Sequence, residues 1–316
     1  MPTILRPDEV RAKYGPMFCK GLYTIVDEKN ALVKIIETCS ARGPIEWDTV
    51  NRRRTGGAIY DMRLDGYTLT MDATLGEKKL NFGPASSELG GQGIESITVE
   101  GDRVHTKWRG IAGAGMGVGA CLPQAEGVIE TIYPDDFKMG GAHTACTEII
   151  THKMIRVLIG VDDTDTPEKG ASWVATLKMG KNCPHGRFLE HKIIQLNPKA
   201  PNKTTNCCST AVAFAVRPDE VDKLVDWCAD FIKKESYSDD TVMTVFKGLK
   251  QSDALVKWSW EAKSILYTPE EAVRVAEEND VEIKYITGKK GVIGAVAAIG
   301  CFDLGLKAAG VPEDFD

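Results

Sequence analysis

The chain has 316 residues, 43% of them hydrophobic and 27% charged, with a formal net charge of -6. That length exceeds the roughly 250 to 300 residues at which single cores stop growing, so two domains are expected. The negative balance argues against a broad electrostatic grip on nucleic acid, which needs a basic face to neutralise phosphates.

The amino-terminal segment MPTILRPDEVR carries charges where a secretion signal needs an apolar stretch. No run reaches the roughly 18 apolar residues of a membrane span, so a cytoplasmic protein with no membrane partner is expected. Nine cysteines, at positions 19, 39, 121, 146, 183, 207, 208, 228 and 301, form no CxxC pair and no Cys/His cluster at zinc spacing. Metal-thiolate chemistry therefore has no support from the linear pattern, and the thiols are expected to be reduced.

Residues 1–152 read as a β-rich domain with closely spaced turn signals. Arg52, Arg53 and Arg54, followed by Thr55, Gly56 and Gly57, have two readings, a solvated basic loop or an anion or partner contact. Ala58 to Leu64 and Tyr67 to Ala73 flank Asp65-Gly66, a dipeptide suited to the positive φ of a tight hairpin turn. Ile94 to Val99 and Arg103 to Trp108 flank Gly101-Asp102 in the same way, so an antiparallel sheet with few helices is expected. The glycine-rich stretch Gly110 to Gly119 fits a dinucleotide fingerprint only permissively, and Pro123 interrupts the helix that should follow. It reads as a close backbone approach or a flexible loop. His143, Cys146 and His152 lack a supporting acid at ligand spacing.

Residues 153–316 change to strands alternating with amphipathic helices, giving an α+β or α/β domain. Ile155 to Val161 is an apolar strand fit for burial on both faces. Thr166-Pro167-Glu168 reads as a helix start, with Thr166 as N-cap and Pro167 in the first helical position. Leu189 to Leu196 and Thr210 to Val216 read as strands, and Pro218 to Lys234 as a helix with Val221, Leu224, Val225, Cys228 and Ile232 on one side. Two helices, Ala254 to Leu266 and Pro269 to Glu278, precede a strand at Glu282 to Ile286. The apolar segment Gly291 to Gly300 reads as a packed helix whose glycines permit close contact rather than a phosphate loop, since no GxxxxGK[ST] string is present.

The chemistry concentrates at Asp162, Asp163, Thr164 and Asp165. Two unit charges 4 Å apart repel by about 4 kcal/mol at an effective dielectric near 20, and a divalent cation removes that cost. Magnesium suits carboxylates that share it with phosphate and water. A helix start beside them would offer free N–H groups to phosphate, and Thr164 and Thr166 add hydroxyls. Spacing alone leaves a second reading open, in which Asp165 or Thr166 caps the helix and the other acids are solvated.

Three ordered motifs extend this. IGVDDTDTP (Ile159 to Pro167), IIQLNPKAPNKTTN (Ile193 to Asn206) and GKKGVIGAVAAIG (Gly288 to Gly300) resemble the archaeal agmatinylcytidine synthetase that modifies an isoleucine tRNA, over roughly Ile155 to Gly310. Over the whole chain, including KGLYTIVDEKNALVKIIE and SYSDDTVMTVFKGL, the sequence resembles methanogenesis marker protein 11, a methanogen family of archaea. The synthetase resemblance implies a kinase-like ATP-binding unit with a ferredoxin-like neighbour. It implies magnesium on Asp162, Asp163 and Asp165, catalytic roles for Asp163, Asp165 and Lys203, and nucleotide contacts from Thr164, Thr166, Lys203, Thr204 and Asn206.

Departures narrow this. Gly170 is followed by Ala171, Ser172 and Trp173 where the synthetase carries paired threonines, and Lys203, Thr204, Thr205 and Asn206 include no arginine. The OB-fold and zinc modules that hold tRNA have no counterpart here, so a tRNA partner is not expected. The implied function is Mg-ATP-dependent phosphotransfer or nucleotide hydrolysis on an unknown small-molecule or protein acceptor. The alternative is a non-catalytic assembly or maturation factor for methyl-coenzyme M reductase or its cofactor, with a methanogenesis enzyme as partner.

Overall fold

The computed structural model describes residues 1–82 and 86–313 of a mixed α/β protein that divides into two compact units, Met1–Met154 and Ile155 onward. The first unit contains β1 (Thr3–Leu5), α1 (Pro7–Tyr14), β2 (Cys19–Asp27), β3 (Leu32–Cys39), α2 (Arg42–Thr55), β4 (Ile59–Asp65), β5 (Thr68–Thr74) and β6 (Gly76–Glu77). It continues with α3 (Ser86–Leu89), β7 (Gly91–Glu100), β8 (Arg103–Ile111), α4 (Ala114–Met116), β9 (Val128–Tyr133) and the first part of β10 (Thr144–Asp162). Strands β4, β5, β3 and β2 form one antiparallel run, and β7, β8, β10, β9 and β1 another. Lys153 and Met154 of β10 pair in parallel with β2.

Both expected hairpins form, with Gly66 and Gly101 at φ +57° and +61° in the turns. In β5 the burial alternates, with Leu69, Met71 and Ala73 inward, the pattern of a strand with one solvated face.

Helix α2 corrects the expectation of a basic loop at Arg52, Arg53 and Arg54: all three lie in its last turn. Arg52 is 0% exposed. Its Nη1 donates to Glu37, its Nε and Nη2 donate to Gln92 Oε1 at 3.2 and 3.0 Å, and its guanidinium lies 5.0 Å from the centre of the Trp108 ring. Gln92 in turn donates to Asp48, whose carboxyl is pushed up to about 7, first by burial and then by Glu37, with Arg52 pulling the other way. The inward stripe of α2, Ile45, Asp48, Thr49, Arg52 and Thr55, is mostly polar. An apolar-period reading therefore misses the helix.

Gly110 to Gly119 also departs from the flexible-loop reading. From Ala114 to Gly119 the chain, apart from the half-buried Met116, is buried in short helical turns, and a Cβ at Gly119 would fall 2.7 Å from the Phe137 ring. The close-approach reading is the one realised.

The second unit contains the end of β10, α5 (Ser172–Asn182), β11 (Arg187–Gln195), β12 (Cys208–Val216), α6 (Val221–Glu235), β13 (Val242–Lys247), α7 (Asp253–Glu261), α8 (Pro269–Glu278), β14 (Glu282–Tyr285) and α9 (Val292–Cys301). Its sheet has the order β11-β12-β10-β13-β14 and is antiparallel throughout. The α+β alternative is thus the one observed.

Parity along β10 sorts the two faces. Val157, Ile159 and Val161 join Ala175 and Met179 of α5 and Val225, Cys228 and Ile232 of α6 in one core. Leu158 joins the core made with α7, α8 and α9. Gly160 lies under α9, where a Cβ would fall 2.4 Å from the Ala295 carbonyl oxygen. Helix α6 carries its apolar residues at the expected spacing, and α8 starts with a capping box between Thr268 and Glu271. Helix α7 ends at Glu261, short of the expected Leu266.

No helix among the described residues is long and apolar enough to cross a membrane.

Candidate functional site

Asp162 closes β10 on the face that α9 covers. A Cβ at Gly294, in the first turn of α9, would fall 1.7 Å from Asp162 Oδ2, so the absent side chain is what leaves room for the carboxylate. Asp163 follows with φ +56°, a left-handed conformation that Asp tolerates better than most residues, and its carbonyl accepts from Thr241 Oγ1 at 2.7 Å. This reversal takes the chain off the sheet within one residue.

The helix start expected at Thr166 is not there. Thr166 and Lys169 exchange backbone hydrogen bonds of 2.9 and 3.2 Å around Pro167-Glu168, making a tight turn, and Gly170 follows at φ +95°. Helix α5 begins at Ser172. Ser172 Oγ accepts from the Thr164 N–H and from Thr164 Oγ1, both at 3.1 Å, and donates to Asp165 Oδ1 at 3.0 Å. Thr204 Oγ1 donates to Asp165 Oδ2 at 3.2 Å. Both oxygens of Asp165 are therefore held by hydroxyls from separate segments.

These residues line a cavity of about 420 Å³, within the usual size range of small-molecule sites. Of the expected site residues, Asp162, Asp163, Asp165, Lys203, Thr204 and Asn206 line it. Thr164 and Thr166 do not: Thr164 is buried with its hydroxyl on Ser172, and Thr166 lies in the turn. Apolar walls come from Ile193, Leu196, Tyr267 and Ile293. Cys207 and Cys208 also line the cavity.

The acids repel one another. Burial pushes the Asp162 carboxyl well above the carboxylate range, with Asp163 and Asp165 adding to the shift. Asp163 is pushed up to about 6 by burial, then by Asp165 and Asp240, while Lys290 pulls it down. Lys290 donates to Asp240 Oδ2 at 2.6 Å and lines the cavity. Lys203 is exposed and donates to the Pro198 carbonyl.

Lys290, Ser172 and Asp240 were not among the residues singled out by sequence. Lys290 had a signal in the GKKG motif. Ser172 had only its place where the synthetase carries paired threonines, because its role depends on the turn that replaces the expected helix start.

The model of the TiaS TCKD domain family matches residues 158–218, from β10 to the residue after Arg217. The uncharacterized protein MJ0921 of Methanocaldococcus jannaschii is 38% identical over 284 residues, 89% of this chain and 93% of that protein. This chain belongs to the MJ0921 family.

Part of this MJ0921 family member is also similar to the tRNA 2-agmatinylcytidine synthetase TiaS. The Thermococcus sibiricus enzyme is 29% identical over 46% of the chain and 35% of the enzyme. The Archaeoglobus fulgidus enzyme is 31% identical over 51% of the chain and 40% of the enzyme. The matched region thus spans well under half of each synthetase. A crystal structure of TiaS in complex with its tRNA and ATP aligns with a TM-score of 0.41 and 25% identity, over 46% of this chain and 36% of that one.

Proposed function

We propose that the cavity at the end of β10 binds Mg-ATP and that this MJ0921 family member is an ATP-dependent phosphotransfer or nucleotide-hydrolysing enzyme. The observation that carries the reading is the seating of Asp162, Asp163 and Asp165 together in one cavity with Lys203, Thr204 and Lys290. The sequence similarity to TiaS over this region supports it.

The donor set fits magnesium. Burial, and after it mutual repulsion, raises the proton affinity of two of its carboxylates, and a hard divalent ion held by carboxylate oxygens offsets that cost. The cradle left by Gly294 gives Asp162 its place beneath α9. Asp162, Asp163 and Asp165 would hold the ion. When bound, magnesium supplies charge neutralisation to the transferring phosphoryl group.

The chain's own residues supply position and charge. Ser172 and Thr204 fix the orientation of Asp165 from both sides. Lys203 and Lys290 have exposed side chains able to turn toward phosphate oxygens, each as a compact point charge. Asp163 also lines the cavity, where a carboxylate can take a proton from an acceptor hydroxyl or water. Ile193, Leu196, Tyr267 and Ile293 offer an apolar wall for the flat face of a base.

Calorimetry of the full chain with ATP and magnesium tests this. The wild type should bind only with both present, and Asp163→Asn should bind at least tenfold more weakly. No binding, or equal binding by both proteins, overturns the proposal. Binding with no turnover on any acceptor or on water would favour the non-catalytic assembly or maturation role instead.

A further inference from the structure

The linear spacing of the cysteines offers no metal site, but the fold assembles one candidate in the first unit. Cys19 on β2 and Cys39 on β3 are direct cross-strand partners. Glu37 lies two residues before Cys39 and so shares its face of the strand. The two thiol sulfurs and a Glu37 carboxylate oxygen all lie within 4.8 Å of one another. All three residues are buried.

This pair of thiols differs from ones that merely fill a core. Cys39 Sγ donates to Glu37 Oε1 at 3.3 Å, so a carboxylate oxygen is aimed at the sulfurs. The other oxygen of Glu37 is taken by Arg52, itself fixed by Gln92. A carboxylate oriented by an outer hydrogen-bond partner, with its second oxygen facing two thiols, is the arrangement that metal sites use to hold a ligating group in place.

We propose that Cys19, Cys39 and Glu37 form a binding site for a thiophilic divalent transition-metal ion of the zinc class. Thiolate sulfur selects such an ion over magnesium or calcium. Two thiolates and one carboxylate bring three negative charges, met by the divalent ion and by the buried Arg52, which Asp48 also approaches at 3.8 Å. On binding, both S–H bonds break, two metal–sulfur bonds and one metal–oxygen bond form, and two protons leave to solvent. No electron is transferred. Three protein donors leave one tetrahedral position for a solvent oxygen.

The test uses the reduced, metal-free full chain titrated with Co²⁺ alone. One equivalent should produce an intense sulfur-to-cobalt charge-transfer band, release two protons and be displaced by Zn²⁺. Cobalt held by the carboxylates of Asp162, Asp163 and Asp165 alone gives no such band, and Cys207→Ser/Cys208→Ser, which removes the two thiols that line that cavity, should leave the band unchanged. Cys19→Ser and Cys39→Ser should each reduce the affinity at least tenfold with loss of band intensity, whereas Cys228→Ser should leave both unchanged. X-ray absorption of the zinc-loaded wild type should show two sulfur scatterers, a readout independent of whether the variants fold. Absence of the band, its survival in Cys39→Ser, or a zinc shell without sulfur overturns the proposal. None of these outcomes depends on nucleotide binding.

Discussion

Gly294→Ala tests how the acidic run is seated, because two effects of opposite sign meet at one atom. Within a helix, alanine is favoured over glycine by about 1 kcal/mol. The new methyl, however, would lie 1.7 Å from Asp162 Oδ2, 2.6 Å from its Cγ and 3.2 Å from its Cβ. Forcing a group into an occupied position costs about 1–3 kcal/mol, so the variant should lose up to about 2 kcal/mol net. In an Asp162→Ala background the carboxylate is gone, and the same substitution should instead stabilise by about 1 kcal/mol. Urea unfolding of the four proteins, without metal, gives the coupling energy, expected at about 1–3 kcal/mol. If Gly294→Ala stabilises by the same amount in both backgrounds, Asp162 does not sit beneath α9 and the account of the cradle fails. Gly294→Ala should also bind Mg-ATP at least tenfold more weakly, since the carboxylate must move.

Three further outcomes follow from the geometry. Asp163 holds its proton more tightly when folded, at about 6 against an ordinary 3.8. Without metal, the contribution of Asp163 to stability should therefore fall as pH rises from about 4 to about 6, by about 1–2 kcal/mol after solvent screening, beside the losses from Asp162 and Asp48, whose carboxyls are also pushed up. Asparagine also tolerates positive φ, so Asp163→Asn should flatten that step in a pH series of urea unfolding, and should be more stable than wild type at pH 7 without metal. Arg52→Ala leaves Glu37 buried without its counter-charge and should destabilise the first unit by about 3–5 kcal/mol in thermal or urea unfolding; a loss below about 1 kcal/mol would contradict the ion-pair account. Ser172→Ala removes the acceptor of the Thr164 N–H and one hold on Asp165, and should cost about 1–3 kcal/mol with a several-fold weaker Mg-ATP affinity by calorimetry. Unchanged affinity would mean that Asp165 does not need that support.

Periodicity exposed most of the second unit because its helices present apolar stripes to an apolar sheet. Val221, Leu224, Val225, Cys228 and Ile232 of α6 are an example. It failed at α2, whose inward face carries Asp48 and Arg52 in place of aliphatic side chains. The partners that make that burial possible, Glu37 and Gln92, come from β3 and β7, and no local pattern announces a charge neutralised across a sheet. The acidic run itself was visible by composition. Its supports were not: Thr166-Pro167-Glu168 carries the residues of a helix start, yet the backbone bonds between Thr166 and Lys169 close a turn first. The serine that locks Asp165 therefore comes from a helix beginning five residues later than expected, at Ser172. Lys203, Thr204 and Asn206 reach the cavity from a loop whose turn residues look unremarkable in isolation. Cys19 and Cys39 became neighbours only through strand register.

The alternation along β10 has a consequence for what this domain can tolerate over time. Odd-numbered side chains from Val157 to Val161 enter one core, and even-numbered positions from Leu158 to Asp162 meet the other. The strand is in effect a reading frame two letters wide. Substitutions change one letter, but inserting or deleting a single residue between Ile155 and Val161 would shift every later side chain to the opposite face and swing the terminal carboxylate away from Gly294. Drift in this segment should proceed by replacement, with changes of length displaced to the turn at Pro167-Glu168 or to the loop that carries Lys203.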